Sequence, residues 1–177
     1  MRIIAGTNKG RVLKAPSWDG LRPTSDKLRE TLFNILAPYI EGARVLDVFS
    51  GTGAVALEAL SRGAAAATCI EQDRRAVRLI EENRDLCRAE DRCVIIRDAA
   101  ERALSKPVAG GPFDLVVLDP PYHHDRLAAV VRAAATQRAP GARLVLEHAS
   151  RVAPPSPEGL AVTRTVKSGD SALTFYS

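Results

Sequence analysis

The chain has 177 residues, 46% of them hydrophobic, and a formal net charge of +4. That length suits one domain of ordinary size with a sizeable core. No apolar run approaches the roughly 18–20 residues of a membrane span, charge and glycine interrupt the start where a signal peptide would be apolar, and Cys69, Cys87 and Cys93 lack Cys-x-x-Cys spacing, which reads as reduced core thiols of a cytoplasmic protein without a zinc site.

The charge is uneven. In residues 1–30, Arg2, Lys9, Arg11, Lys14, Arg22, Lys27 and Arg29 outweigh Asp19, Asp26 and Glu30, and the remainder is neutral. A basic end on a neutral body points to a polyanionic partner; a solvated, solubilising hairpin is the bland alternative. The opening itself, RIIAG-TNKG-RVLKA, reads as a hairpin from Arg2 to Ala15, two β-like runs around a Thr-Asn-Lys-Gly turn. A loop, PSWDGLRP, follows. TSDKLRETLFNILAPY then predicts an amphipathic helix, with a Thr24/Ser25 cap, Leu28, Leu32, Ile35 and Leu36 on one face, and a stop near Pro38.

From Arg44 the pattern alternates. RVLDVF is a strand, AVALEALSRG a helix, ATCIE a strand, RRAVRLIEENRDLCRA a helix, CVIIRD a strand with a short helix near Glu101. FDLVVLD is a strand, DRLAAVVRAAATQRA a helix and RLVLEH a strand. The tail has two β-like runs around Ser168-Gly169-Asp170 and reads as a closing hairpin. Such alternation argues for an α/β fold, a mostly parallel sheet with helices on both faces.

Two stretches carry chemistry. In RVLDVFSGTGAVALEAL a strand ends at Asp47–Phe49, and Gly51-Thr52-Gly53 precedes a helix. Glycines there let the backbone turn sharply and approach a ligand. Gly51-x-Gly53-x-x-Ala56 also fits the dinucleotide fingerprint, with Glu71 about 20 residues on, where an acid binds ribose hydroxyls. A tight turn without a ligand is the bland reading. NAD is disfavoured: the chain has no room for a substrate domain, and Asp47 before the glycine loop would repel a pyrophosphate. A carboxylate suits a cationic amino group, and S-adenosylmethionine has one, with a ribose, an adenine and no phosphate. Asp98, ending the third strand, would accept from the adenine amine or cap a helix.

The second stretch is Asp119-Pro120-Pro121-Tyr122, ending the fourth strand on the edge where ligands bind in open α/β sheets. Exocyclic amines of nucleobases are poor nucleophiles because the lone pair is delocalised into the ring. Acceptors aimed at the N–H bonds draw the nitrogen toward tetrahedral geometry. The Asp119 carboxylate and Pro120 carbonyl supply two, and proline locks the direction of the backbone. Tyr122 offers a face for stacking. His123-His124-Asp125 reads as a solvated loop and helix cap, since adjacent side chains diverge and no third metal ligand follows. His148 reads as structural.

MRIIAG…KGR.L, LRPTSDKLRETLFNIL, VLDVFSGTGAVALEALSRGA, IEQD and LDPPY together resemble the bacterial 16S rRNA guanine-N2 methyltransferase family, over Arg2 to about His148. The resemblance implies a class I methyltransferase, Rossmann-like, with seven strands, the last antiparallel, and S-adenosylmethionine as donor. It implies Asp47, Gly51 and Gly53 at the methionine end, Glu71 at the ribose, Asp98 and Ala99 at the adenine, Phe49, Gln72 and Asp119 also at the cofactor, and Asp119, Pro120 and Tyr122 at the guanine. Residues 1–23 would be an RNA-contacting extension using Arg2, Lys9, Arg11, Lys14 and Arg22, and residues 24–177 the methyltransferase domain. The expected partner is 16S rRNA, in the small subunit or an assembly intermediate, with no membrane and no metal. Two other classes stay open: an amino-methyltransferase of adenine or protein glutamine, and a non-catalytic RNA-binding module.

Overall fold

The structure, a computed structural model, describes residues 1–18 and 26–177. The predicted Thr24/Ser25 cap and Arg22 lie outside the described residues. The first helix, α1 (Asp26–Leu36), buries Leu28, Leu32, Phe33 and Leu36 and passes into a single 3-10 turn at Ala37–Tyr39, where Pro38 removes a backbone donor.

The core is a seven-stranded sheet. In chain order its elements are β1 (Arg44–Val48), α2 (Ala54–Ser61), β2 (Ala66–Glu71), α3 (Arg74–Leu86), β3 (Cys93–Arg97), α4 (Ala100–Ala103), β4 (Phe113–Leu118), α5 (Leu127–Ala135), β5 (Arg138–Ala149), β6 (Val162–Ser168) and β7 (Ser171–Tyr176). The strand order is β3-β2-β1-β4-β5-β7-β6. β1 to β5 are parallel, and β7 slips in antiparallel between β5 and β6. β1, β2 and β4 are buried along nearly their whole length, which their apolar runs require. β6 is largely exposed, and as an edge strand it carries Arg164 and Lys167, which discourage further pairing.

Helices cover both faces. One layer packs α1, α2, α3 and the N-terminal segment against the sheet, and the other packs α4 and α5. β5 starts at Arg138 rather than Arg143, through an irregular stretch between the Phe113 and Leu115 pairings. The backbone N–H of Phe113 donates to Gln137 O (2.9 Å), which draws residues expected at the end of the preceding helix into the sheet. No helix among the described residues is long and apolar enough to cross a membrane.

The N-terminal hairpin is one antiparallel bridge, Arg2 with Val12, and it does not stand apart from the body. Ile3 and Leu13 are fully buried in the larger apolar cluster. Glu58 of α2, also fully buried, accepts from Ile4 N (2.7 Å) and Ala5 N (3.0 Å). Arg62 Nε donates to the same carboxylate at 2.7 Å, and buried Arg29 donates to the Arg2 carbonyl. Burial lowers the Arg29 pKa, against the pull of Asp26 and Glu58. Gly6 has no alternative here: a Cβ would sit 1.7 Å from the Ser61 carbonyl oxygen. α2 is therefore covered on its outer face too, and all its residues are buried.

Candidate active site

The chain enters the sheet at β1, builds outward through β2 to β3, then crosses to β4 and β5. The order reverses between β1 and β4, and a crevice opens at their carboxyl ends. A cavity of about 590 Å³ lies there, bordered by the ends of β1, β2 and β4, the start of α2, and the turn of the β6–β7 hairpin. A volume of this size suits a nucleoside-containing ligand.

The glycine loop forms one wall. Phe49 (φ 64), Gly51 (φ 56) and Gly53 (φ 75) are all left-handed, an arrangement a non-glycine residue such as Phe49 rarely tolerates. The loop is pinned by Ser50, whose N–H donates to Ile70 O (3.0 Å) and whose hydroxyl donates to Asp47 O (2.7 Å). Glu71 accepts from Gly51 N (2.9 Å) and Asp73 N (2.9 Å), so the expected ribose acid also shapes the loop.

Asp47 is 1% exposed and accepts from Ala56 N at 3.2 Å. Burial pushes its pKa up to about 8, partly opposed by that N–H bond and reinforced by Asp119 and Glu71. The first-turn amide that a dinucleotide pyrophosphate would use is thus already occupied by a carboxyl group. A desolvated acid with one hydrogen bond, bordering a cavity, is suited instead to a cation.

Most of the residues expected at the cofactor border the cavity. Asp47, Phe49, Gly51, Glu71, Gln72, Asp98 and Asp119 border the cavity; Gly53 and Ala99 do not. Gly53 sits at the N-cap of α2, where an added Cβ would lie 3.0 Å from Ile80, and Ala100, next to Ala99, borders the cavity. Asp98 accepts from Arg102, which lowers its pKa, and from Ala99 N (2.8 Å); Ala99 is the N-cap of α4 and no side chain caps that helix, so Asp98 borders the cavity without acting as the expected cap.

On the β4 side, Asp119 N donates to Val48 O (3.3 Å), Pro120 is buried, and Tyr122 is exposed. Tyr122 Oη shares a hydrogen bond with Ser171 Oγ at 2.6 Å. The two histidines diverge as expected, but no side chain caps α5. Instead the Arg126 N–H donates to His124 Nδ1 (3.3 Å), His124 Nε2 meets Glu101 Oε1 (3.2 Å), and the ring lies edge-on to Phe49 with centroids 5.3 Å apart. His123 borders the cavity. His148 is buried and bonded to Thr174 Oγ1 (2.8 Å), a structural role.

Several cavity residues carry no local sequence signal. Trp18, Asp73 and Arg75 flank the Glu71 side, and Glu147, Ser168, Asp170 and Ser171 flank the Tyr122 side. The Ser-Gly-Asp turn of the tail is visible as a turn, but only strand order brings it to β4. Of the basic residues expected to hold RNA, Arg2, Lys9, Arg11 and Lys14 are exposed on the N-terminal segment, away from the cavity. Lys14 Nζ pairs with Glu82 (2.9 Å) and Arg11 Nε donates to Asn8 Oδ1 (3.1 Å). All three cysteines are free and buried.

Parallel strands reversing at β1 and β4, an antiparallel β7 beside β5, a glycine loop answered by a buried acid and a Pro-Pro shelf opposite define a class I methyltransferase fold. Within that class the chain belongs to the family described as Conserved hypothetical protein 95, whose model matches residues 1–177. It is 45% identical over 127 residues to Ribosomal RNA small subunit methyltransferase D of Escherichia coli strain K12; the match covers 72% of this chain and 63% of that protein's length. It is 39% identical over 134 residues to YlbH of Bacillus subtilis, covering 74% of this chain and 72% of that one. The solved structure of yhhF from Escherichia coli superposes with a TM-score of 0.88 at 36% identity, covering 99% of this chain and 96% of that one.

Proposed function

We propose that the chain transfers a methyl group from S-adenosylmethionine to the exocyclic N2 of a loop guanine in 16S rRNA, in the small ribosomal subunit or an assembly intermediate, and works in the cytoplasm. The observation that carries this is the meeting of two halves in one cavity: the buried Asp47 with its glycine loop, and the Asp119-Pro120-Pro121-Tyr122 shelf. The small-subunit rRNA relative in Escherichia coli supports the choice of substrate.

The donor supplies a methyl on a sulfonium, already electrophilic, so positioning provides most of the catalysis. Asp47 meets the cationic amino group, Glu71 the ribose hydroxyls, and Asp98 the adenine side. Asp119 and the Pro120 carbonyl accept from the guanine amine, releasing its lone pair for attack. The N2 proton passes to Asp119 as or after the N–C bond forms, and then to solvent. Tyr122 stacks on the base. The target must be turned out of its stack to reach the shelf, which suits a loop nucleotide. Residues 1–23 act as the RNA-contacting extension, with Arg2, Lys9, Arg11, Lys14 and Arg22 on phosphates, and residues 24–177 carry the transfer chemistry.

The test is tritium transfer from labelled S-adenosylmethionine to small-subunit rRNA of a strain lacking the enzyme, followed by nuclease digestion. The expected product is N2-methylguanosine. Methylated adenine, a methylated protein amide, or no transfer with intact donor binding would each reject the assignment.

A further inference from the structure

The N-terminal segment continues past its bridge and runs along α3 toward the cavity. Lys14 N donates to Asn83 Oδ1 (2.7 Å), and Lys14 O accepts from Asn83 Nδ2 (3.1 Å), a two-bond latch onto a buried amide. Asn83 Nδ2 also donates to the Thr52 carbonyl (3.0 Å), so the segment and the glycine loop share one anchor. Four residues beyond Lys14, Trp18 lies over the Arg75 guanidinium, 5.0 Å from ring centroid to charge. From Asn83 back to Arg75 is about 12 Å of helix, a span that four extended residues cover. Arg75 is itself held by Asp73, Nη2 to Oδ2 at 2.8 Å. Asp73 follows the ribose acid Glu71 by two residues, and its own N–H donates to the Glu71 carboxylate at 2.9 Å. Trp18, Asp73 and Arg75 all border the cavity.

We propose that Trp18 is a wall of the adenosine subsite, with Arg75 as the residue that positions its ring. This rests on the reading of the cavity as an S-adenosylmethionine site. The indole brings a large apolar face to the Glu71 side, where the ligand chemistry expected is a nucleoside. Aromatic faces stack nucleobases with energies that correspond to roughly tenfold in affinity. The methionine end is elsewhere, at Asp47 and the start of α2. Because Trp18 ends a stretch latched at Lys14, the donor subsite and the basic segment are joined through one side chain.

Trp18 is the single tryptophan of the chain, so its emission reports this subsite alone. The purified full chain is titrated with S-adenosylhomocysteine, adenosine and methionine, following tryptophan fluorescence, with calorimetry in parallel. S-adenosylhomocysteine and adenosine should both change the emission, and methionine should not. Trp18→Ala should bind S-adenosylhomocysteine about tenfold more weakly by calorimetry with an unchanged melting temperature, and Trp18→Phe should recover most of the loss. Arg75→Ala, at an exposed side chain, should blunt the emission change. Calorimetric binding by the wild type with no emission change and an unaltered Trp18→Ala affinity overturns the proposal while leaving the donor reading intact. A response to methionine but not adenosine overturns the assignment to the adenosine half. Absence of calorimetric binding by the wild type instead rejects the donor reading itself.

Discussion

If Asp47 receives the donor's ammonium as proposed, donor binding should release a proton. Its carboxyl titrates near 8 because burial is answered by one N–H bond at 3.2 Å. At pH 7, below that value, most molecules hold it protonated. An ammonium placed against it favours the charged form, so binding should release most of a proton per ligand at pH 7. Calorimetric titration with S-adenosylhomocysteine in buffers of different ionisation enthalpy measures that number as a slope. Asp47→Asn should abolish the release and weaken binding. The same shift predicts the stability of the ligand-free protein. A folded-state pKa of about 8 lies above the ordinary 3.8, so the folded chain keeps a proton that the unfolded chain has shed. Stability from this group is therefore complete below pH 4 and is lost as pH rises to 8, by on the order of 4 kcal/mol at pH 7. Asp47→Asn should flatten that fall in urea unfolding between pH 5 and 8. Binding heats that do not depend on buffer, or equal release by wild type and Asp47→Asn, would refute the reasoning.

At the shelf, Asp119→Ala should keep the fold and most donor binding yet lose methyl transfer by about 10²–10³-fold, while Asp119→Asn retains more; transfer at the wild-type rate by Asp119→Ala removes Asp119 from the chemistry. Tyr122→Ala should chiefly weaken productive RNA binding. If the Ser171 bond at 2.6 Å orients the ring, then Tyr122→Phe and Ser171→Ala should cost similar small factors in kcat, and the double variant no more than either; additive losses would mean that the bond does nothing. Neutralising Lys9, Arg11 and Lys14 together should lower the log–log salt slope of RNA binding by ~0.7–0.9 for each phosphate no longer neutralised and leave donor affinity unchanged; an unchanged slope would make them a solvated face. Glu58→Ala strands two backbone N–H groups and removes the buried partner of Arg62, and should destabilise by about 3–5 kcal/mol in urea unfolding, whereas a loss under about 1 kcal/mol would show that the remaining contacts of the N-terminal segment hold it without Glu58.

What the sequence by itself determined is the part written in short-range pattern. Apolar runs at strand period and helical periodicity located the elements from Asp26 to Tyr176, because each side chain's burial repeats with its own backbone geometry. Loop glycines, strand-end acids and Asp-Pro-Pro-Tyr marked both halves of the cavity, because their chemistry depends on neighbours in the chain. The tertiary structure alone decided what depends on strand order and burial. β7 inserting between β5 and β6 carries Ser171 to Tyr122, and no residue near Ser171 announces that. Glu58 reads as an ordinary helix acid until the N-terminal segment folds over α2 and buries it. Trp18 reads as a loop residue until Asn83 pins Lys14 and the chain is led to Arg75. That Gly53 and Ala99 lie outside the cavity lining while Ala100 borders it also follows from the packing and not from spacing. The titration of Asp47 is likewise absent from the sequence, since desolvation is a property of everything packed around a group and not of the group itself.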